Sequence, residues 1–285
     1  MSDLLTIDHQ AFVDAYGNHP FRVSHTLTEH PLLSVESLAE LADFLPEEKV
    51  EHNRGDIPEI LPTGDAPRLD ATPGEIARGI ETNGCWMVLK RVELHPDYNS
   101  LLDETLDEVL PHVIDVDGEM RHRVGFIFLT SPGGTTPAHT DPEHNFLLQV
   151  RGWKEITIGR WPSKEAEQAE LETQVGEGGH RNVEGMPEDN QTVRLNPGDG
   201  VYVPIHAPHM VKNGDTVSVA LSITWLTPRS ERELKVTSVN ARMRKAKLSP
   251  TLPGENPLRD RAKANVMRAV HKVRGTGIHS DGESS

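Results

Sequence analysis

Cysteine is almost absent from this chain of 285 residues, in which Cys85 is the single example. An intrachain disulfide is therefore excluded, and so are disulfide scaffolds, cysteine-rich zinc ribbons and iron–sulfur proteins. Long apolar runs are also missing, because none approaches the ~20 residues that cross a bilayer. The first residues lack the basic stretch and apolar core of a signal peptide. These absences predict a soluble, cytoplasmic protein that does not use a membrane.

Positively charged residues are fewer than negatively charged ones. The chain has 29 Lys and Arg and 44 Asp and Glu, so its net charge is -15. Residues 1–228 hold the acidic excess, whereas residues 229–285 are basic. An acidic body repels nucleic-acid phosphate, so we expect no nucleic-acid partner and a basic or neutral substrate. The basic segment around residues 242–247 is interpreted as a solvated helix face, with a polyanion site as the alternative.

Residues 1–115 have a mixed and mostly helical pattern. Apolar residues at helical spacing predict a helix over 31–45 and an acidic amphipathic helix over 98–113. Thr72 followed by Pro73 predicts the start of a short helix. Residues 85–92 have strand character, and residues 52–72, rich in Pro, Gly and Asp, predict an irregular connection.

Short β-rich runs separated by Gly, Pro and Asn extend over residues 116–228 and predict a sandwich or small barrel. The polar, Gly-rich stretch 161–190 interrupts them and is interpreted as a long loop and a candidate lid. Residues 229–275 predict a basic helical segment, with one helix over 258–273. Residues 276–285 predict a disordered tail.

Three polar residues form a candidate metal site, namely His139, Asp141 and His209. Residues two apart on a strand point to one face, so His139 and Asp141 can bind one ion together. Pro204 ends a strand before His209, and the following turn directs this histidine back across the sheet. Two histidines and one carboxylate form the facial triad that leaves three positions open on Fe(II).

Neighbouring residues have their own interpretations. His206 is an alternative third ligand, although the spacing from Pro204 favours His209. His144 is interpreted as an entrance residue or an exposed one. The strand over 217–225 has a small polar face that either lines a cavity or meets solvent; this face comprises Ser218, Ala220, Ser222 and Thr224. Trp153 and Trp225 are expected to be packing residues.

Two stretches of the sequence resemble the paired motifs of cupins. The first is Gly133-x5-His139-x-Asp141, and the second is Gly198-x5-Pro204-x4-His209-x3-Asn213. In the first motif an aspartate, Asp141, replaces the second histidine of generic cupins. In this respect the motif resembles that of JmjC-type Fe(II)/2-oxoglutarate oxygenases. Thr136, Asn145 and the stretch 149–154 extend the resemblance to the asparaginyl hydroxylases that act on hypoxia-inducible factor.

This resemblance implies a mainly β fold, with a double-stranded β-helix (cupin or jelly-roll) core over 116–228 and α-helical segments on both sides. It also implies catalytic Fe(II) held by His139, Asp141 and His209, with 2-oxoglutarate as cosubstrate. Thr136 and Lys154 would bind the C5 carboxylate of 2-oxoglutarate, and Asn145 would contribute nearby.

Lys154 suits that role because a dicarboxylate held by iron at one end needs a cation at the other. Residues 213–228 contain no Arg, where another class of 2-oxoglutarate oxygenases has one. The alternative is that Lys154 caps a solvent-facing turn after Gly152. Asn145 and Lys154 have opposite parity, so both face one cavity only if the strand is kinked, with Gly152 as the candidate position.

The sequence thus predicts an oxidoreductase, an Fe(II)- and 2-oxoglutarate-dependent dioxygenase that hydroxylates a protein or peptide side chain. One alternative is a hydroxylase of a small metabolite, and another is a metal-binding cupin without oxygenase activity, such as an isomerase or ligand sensor. A third is a regulatory protein whose basic tail binds an acidic partner. Few aromatics argue against a methyl-lysine cage. Analogy with the same hydroxylases also suggests a homodimer through the C-terminal helices.

Overall fold

The structure is a computed structural model that describes residues 3–54, 71–176 and 181–274. The helices in these ranges are α1 (His9–Ala15), α2 (Val35–Phe44), α3 (Pro73–Arg78), α4 (Pro96–Asp117), α5 (Lys164–Gly176), α6 (Pro228–Lys245) and α7 (Pro257–Arg274). The strands are β1 (Leu5–Ile7), β2 (Phe21–His25), β3 (Val50–Arg54), β4 (Cys85–Lys90), β5 (Arg121–Thr130), β6 (Thr135–His139), β7 (His144–Arg151), β8 (Lys154–Gly159), β9 (Asn190–Leu195), β10 (Asp199–Val203), β11 (His209–Asn213) and β12 (Ser218–Leu226).

Two antiparallel sheets form the centre of the fold. The large sheet has the strand order β1-β2-β10-β7-β12-β5-β4-β3, and the small sheet has the order β6-β11-β8-β9. From β5 to β12 the chain passes repeatedly between the two sheets, and these eight strands contribute four to each. This winding is a double-stranded β-helix, and the predicted mainly β fold with helical flanks is confirmed.

An apolar cluster packs between the two sheets. The large sheet contributes Leu147, Val201, Val203 and Ala220, and the small sheet contributes Ile156, Ile158, Leu195 and Val211. A larger cluster covers the outer face of the large sheet with side chains of the N-terminal helices and α4. These two clusters cover both faces of the large sheet around β12, so every residue of β12 is buried. The central strand therefore lacks the alternation of a half-exposed strand.

The N-terminal segment contributes more strand than its sequence predicts. The pairs β1–β2 and β3–β4 extend the two edges of the large sheet. Strand β2 alternates between buried and exposed residues over Phe21–His25, as a half-buried strand does. This short alternation is hard to recognise in the sequence because helical periodicity dominates the rest of the N-terminal segment. Strand β1 has only three residues, and β3 carries four polar residues in Val50–Arg54, so neither has a clear pattern. The prediction of an irregular stretch at 52–54 is wrong for this reason.

The predicted helices begin at residues that can cap them. Ser34 accepts a hydrogen bond from the Ser37 amide at the start of α2. At α3, Thr72 and Glu75 form a reciprocal capping box, which satisfies amides that have no partner inside the helix. Helix α4 is longer than the predicted 98–113 and buries Leu102, Leu106 and other apolar residues against the large sheet.

The interpretation of 161–190 as a continuous loop is wrong, because α5 occupies Lys164–Gly176. This segment is rich in Glu, Gln and Ala, which favour helices strongly even where apolar periodicity is weak. Helix α5 packs on α6, where Thr237 Oγ1 donates to Gln168 Oε1 at 3.0 Å and Arg244 Nε lies 2.6 Å from Glu172 Oε2. Helix α5 is thus tied to the C-terminal segment.

Two predictions fall outside the described residues: most of the irregular connection over 52–72, and the disordered tail over 276–285. The predicted helix over 258–273 lies within α7. Within 3–54, 71–176 and 181–274, no helix combines the length and the apolar character needed to span a membrane.

Candidate metal centre

Strands β6 and β11 bring two of the predicted ligands together. His139 at the end of β6 pairs in register with His209 at the start of β11, and their ring centroids are 4.2 Å apart. Asp141 lies beyond the end of β6 and not within it, so the expectation that one strand carries both His139 and Asp141 is wrong in detail. One candidate ligand atom from each of the three residues still lies within 4.8 Å of the others.

Backbone carbonyls fix the orientation of both imidazoles. His139 Nδ1 lies 2.8 Å from Pro137 O, and His209 Nδ1 lies 2.9 Å from Ala207 O. A carbonyl can only accept, so each Nδ1 carries a hydrogen and each Nε2 is the ring atom available to a metal. Asp141 Oδ2 is 3.5 Å from His209 Nε2. Two imidazole nitrogens and one carboxylate oxygen that converge in this way fit a divalent transition metal.

The protonation of these groups also fits a metal site. Burial, together with His209, lowers the pKa of His139 to about 4, so this imidazole is neutral at pH 7. Burial opposes ionisation of Asp141, but the hydrogen bond with His209 and neighbouring positive charge hold the pKa of this carboxyl well below its usual range. Burial also disfavours the charged form of His209, yet Asp141 raises the pKa of this histidine. A cation at the centre would take the place of the His209 proton.

Two charged residues beside the triad were not found from the sequence. Arg181 Nη1 donates to Asp141 Oδ1 at 2.9 Å and lies 3.7 Å from Glu143 Oε2. Burial raises the pKa of Glu143. Arg181 is the single arginine of the polar stretch 161–190, and no motif in that stretch links it to the triad. No sequence signal therefore identifies it.

The triad opens into a cavity of about 160 Å³ between the two sheets. All six residues predicted for the site line this cavity: Thr136, His139, Asp141, Asn145, Lys154 and His209. Ser222 and Thr224 line it from β12, as the polar-face interpretation allowed, whereas Ser218 instead receives a hydrogen bond from Gln149. Trp86, Phe126 and Phe128 supply half-buried aromatic walls.

Lys154 is buried in the wall of this cavity, with 3% of its surface exposed. The alternative that it caps a solvent-facing turn is therefore wrong. Its Nζ lies 5.8 Å from the centroid of the Phe128 ring, and no carboxylate among the described residues pairs with it. Burial alone lowers the pKa of Lys154 to about 7. A buried ammonium without a counter-ion is costly, and an anionic ligand would stabilise it.

Asn145 and Lys154 reach the cavity from different sheets. Asn145 lies on β7 of the large sheet, and Lys154 begins β8 of the small sheet. The chain turns between them at Gly152, whose φ is 69°. The break predicted at Gly152 is therefore present, and it is a turn that moves the chain to the opposite wall rather than a kink within one strand. Asn145 Oδ1 accepts a hydrogen bond from Ser222 Oγ at 2.8 Å, which fixes the amide.

Two further residues complete the wall near Lys154. Thr136 pairs with Val211 in the small sheet, and Asn213 is the partner of Lys154 in the β8–β11 register. Asn213 Nδ2 donates to Gly134 O at 2.9 Å, while its Oδ1 is buried without a hydrogen-bond partner. An unsatisfied buried oxygen in a cavity wall is consistent with a ligand that donates to it or with a water molecule.

The other histidines near the triad have structural partners. His206 Nδ1 lies 3.0 Å from Glu167 Oε1, and His206 is outside the three-residue cluster. His144 is buried, which overturns its interpretation as an exposed or entrance residue. Its ring stacks between Tyr16 and Trp225, and burial lowers its pKa to about 3. Trp225 is fully buried as a packing residue, as predicted.

A comparison with protein families gives a match for the central part of the chain. The family described as the JmjC domain matches residues 100–234. The match includes the triad and agrees with the resemblance that the motifs around it predicted. A comparison with curated proteins gives no match.

Solved structures of YcfD from Escherichia coli share the fold. One, a ribosomal oxygenase in complex with cobalt and 2-oxoglutarate, has 15% sequence identity and a TM-score of 0.52, over 93% of this chain and 67% of that chain. Another, an X-ray structure of YcfD, has 16% identity and a TM-score of 0.54, over 99% and 71% of the two chains. At this level of identity the likeness establishes the fold.

Proposed function

We propose that this protein is an Fe(II)- and 2-oxoglutarate-dependent dioxygenase that hydroxylates a side chain of a protein or peptide. The observation that carries the proposal is the joint placement of the triad and Lys154 on one cavity. The triad can hold a metal with positions left open, and Lys154 offers a buried cation that lacks a carboxylate partner among the described residues. A dicarboxylate that chelates the metal through its 2-oxo acid group requires both features.

Each side chain has a distinct task in this proposal. His139, Asp141 and His209 hold Fe(II), which, together with 2-oxoglutarate and O₂, supplies the oxidant for a substrate C–H bond. Lys154 binds the C5 carboxylate, with Thr136 beside it. Asn145, fixed by Ser222, orients the cosubstrate from the opposite sheet. The apolar residues between the sheets exclude water from the reacting groups.

The proposed substrate is a basic or neutral segment of a protein. The cobalt and 2-oxoglutarate structure of YcfD is that of a ribosomal oxygenase, which supports a protein substrate by analogy. The acidic body of the chain favours a basic or neutral segment by long-range attraction. A homodimer through α6 and α7 and a cytoplasmic location belong to the same proposal.

The reaction class is tested by succinate formation. Anaerobically purified protein is given Fe(II), 2-oxoglutarate and O₂ without a prime substrate, beside the Asp141→Ala variant. We expect slow succinate release from the wild type and none from the variant. Because tight coupling to substrate can suppress this turnover, 2-oxoglutarate binding to the Co(II)-loaded protein is measured as well. Absence of both would favour the cupin without oxygenase activity.

The substrate class is tested by mass spectrometry. Peptide arrays of basic, neutral and acidic sequences are incubated with the active protein and compared with the Asp141→Ala variant. A gain of one oxygen atom on a peptide supports the proposal, whereas loss of a methyl group would indicate demethylation. If every peptide remains unmodified and a metabolite mixture stimulates succinate release, the small-molecule hydroxylase is the better alternative.

A further inference from the structure

The stretch after α5 supplies Arg181 to the metal centre in a fixed position. Thr140 N donates to Arg181 O at 3.0 Å, and Val183 N donates to Ala138 O at 2.9 Å. Asn182 forms an isolated antiparallel bridge with His139. Residues 181–183 therefore line the free side of β6 like a short additional strand. The backbone of Arg181 is held at the ligand-bearing end of that strand.

Helix α5 reinforces this attachment. Thr140, which lies between His139 and Asp141 in the sequence, donates from Oγ1 to Gln174 Oε1 at 3.0 Å. Both side chains are buried. The segment that carries Arg181 is thus joined to the ligand strand by main-chain and side-chain bonds on both sides of the arginine.

The two oxygens of Asp141 have different surroundings. Oδ1 accepts the hydrogen bond from Arg181 Nη1, whereas Oδ2 faces His209 Nε2. A charge-assisted bond to guanidinium is strong and directional. Glu143, 3.7 Å from the same Nη1, attracts the guanidinium from a second direction. Arg181 therefore occupies one oxygen and leaves the other for the metal.

This difference matters for the number of open metal positions. Two histidines and one carboxylate oxygen leave three of six positions free, enough for a chelating 2-oxo acid and O₂. If both Asp141 oxygens bound the metal, only two positions would remain. We infer that Arg181 is a positioning residue that restricts Asp141 to one-oxygen coordination and so preserves the position needed for chelation. This inference rests on the proposed function.

The experiment compares Arg181→Met and Arg181→Lys with the wild type in three measurements. Co(II) affinity of the metal-free protein is measured by calorimetry, the coordination of bound Co(II) by visible absorption, and 2-oxoglutarate affinity by titration of the Co(II)-loaded protein. Arg160→Met is the matched control, because Arg160 is an exposed arginine between β8 and α5 that forms no bond with the triad. Thermal unfolding of every variant reports on the fold.

We expect Arg181→Met to bind Co(II) within about threefold of the wild type, to change the Co(II) spectrum before 2-oxoglutarate is added, and to lose about 10–100-fold in 2-oxoglutarate affinity. Arg181→Lys should lie between the two, and Arg160→Met should match the wild type. An unchanged spectrum in Arg181→Met overturns the inference. Loss of Co(II) binding with a lowered unfolding temperature in both Arg181 variants also overturns it, since Arg181 would then serve the fold.

The two proposals fail in different ways. If the wild-type Co(II) protein does not bind 2-oxoglutarate, the proposed function fails, and the spectra of wild type and Arg181→Met still decide how Asp141 is held. If the wild type binds 2-oxoglutarate and Arg181→Met binds it equally, the proposed function stands and the role of Arg181 is overturned.

Discussion

Asn145 and Lys154 are nine positions apart in the chain, yet they line the same cavity from opposite sheets. The turn at Gly152 between them makes this possible, because it carries the chain from the large sheet to the small one. The geometry of one glycine therefore determines whether the cosubstrate residues proposed on the two walls face each other.

Replacement of Gly152 by alanine should destabilise the protein. Its φ of 69° lies in the left-handed region, and a Cβ at this position would lie 2.2 Å from Val217 O. Left-handed backbone alone costs about 1–2 kcal/mol for an L-residue, and the contact adds to it. Gly17→Ala is the control, since its φ is 77° but nothing lies within 4 Å of the added carbon. Denaturant unfolding should show a larger loss for Gly152→Ala, and equal losses would contradict the proposed clash.

Replacement of Lys154 by methionine should separate cosubstrate binding from stability. Loss of the ammonium should reduce 2-oxoglutarate affinity by about 10–100-fold, which corresponds to one charged hydrogen-bonding contact. Stability should be kept or increased, because an apolar side chain replaces a buried charge without a carboxylate partner among the described residues. Lys90→Met is the control: Lys90 lines the same cavity but lies 2.7 Å from Glu51. If calorimetry gave the same loss of 2-oxoglutarate affinity for both variants, the cause would be the positive charge of the cavity as a whole and not a contact made by Lys154.

The affinity for 2-oxoglutarate should fall as the pH rises above about 7. Burial lowers the pKa of Lys154 to about 7 in the free protein, whereas a bound carboxylate favours the charged ammonium and raises that pKa. Binding then takes up a proton above the free pKa, and the affinity falls by up to about tenfold per pH unit. Titrations of Co(II)-loaded protein from pH 6 to about pH 9 measure this slope. The Lys154→Arg side chain stays charged over this range, so the affinity of that variant should not depend on pH. A wild-type affinity that did not change with pH would contradict the proposed role of Lys154.

Metal affinity should distinguish His209 from His206. His139→Ala, Asp141→Ala and His209→Ala should each abolish Co(II) binding at micromolar metal, because each removes one of the three proposed ligands. His206→Asn should retain it, since His206 is paired with Glu167 and lies outside the cluster. Asparagine suits the positive φ of 61° at this position. If His209→Ala retained Co(II) binding and His206→Asn lost it, His206 would replace His209 as the third ligand.

The strands of the core and the candidate metal ligands could be picked out because their sequence patterns are local. Runs of apolar residues between turns predict β5, β7 and β12, and the spacing around His139 and His209 predicts the candidate metal ligands. These patterns depend on residues close in sequence. The resemblance to JmjC-type cupins then added Lys154 and Thr136, which line the same cavity as the triad.

The missing parts depend on contacts that a sequence pattern does not encode. Arg181 reaches Asp141 because residues 181–183 bond with β6, a pairing without any periodic signal. The edge strands β1 and β3 are short or polar, so tertiary pairing, rather than composition, makes them strands. His144 looks exposed by residue type, but stacking with Tyr16 and Trp225 buries it.

Strand β6 forms one edge of the small sheet, and it carries Pro137 two residues before His139. An uncovered edge is a template on which a strand of another molecule can add, and a proline interrupts that template because it has no amide hydrogen. Farther along, residues 181–183 bond with the same edge. The strand that ends in the candidate ligand His139 is therefore protected against intermolecular β-pairing, and the candidate metal centre is kept apart from a route to aggregation.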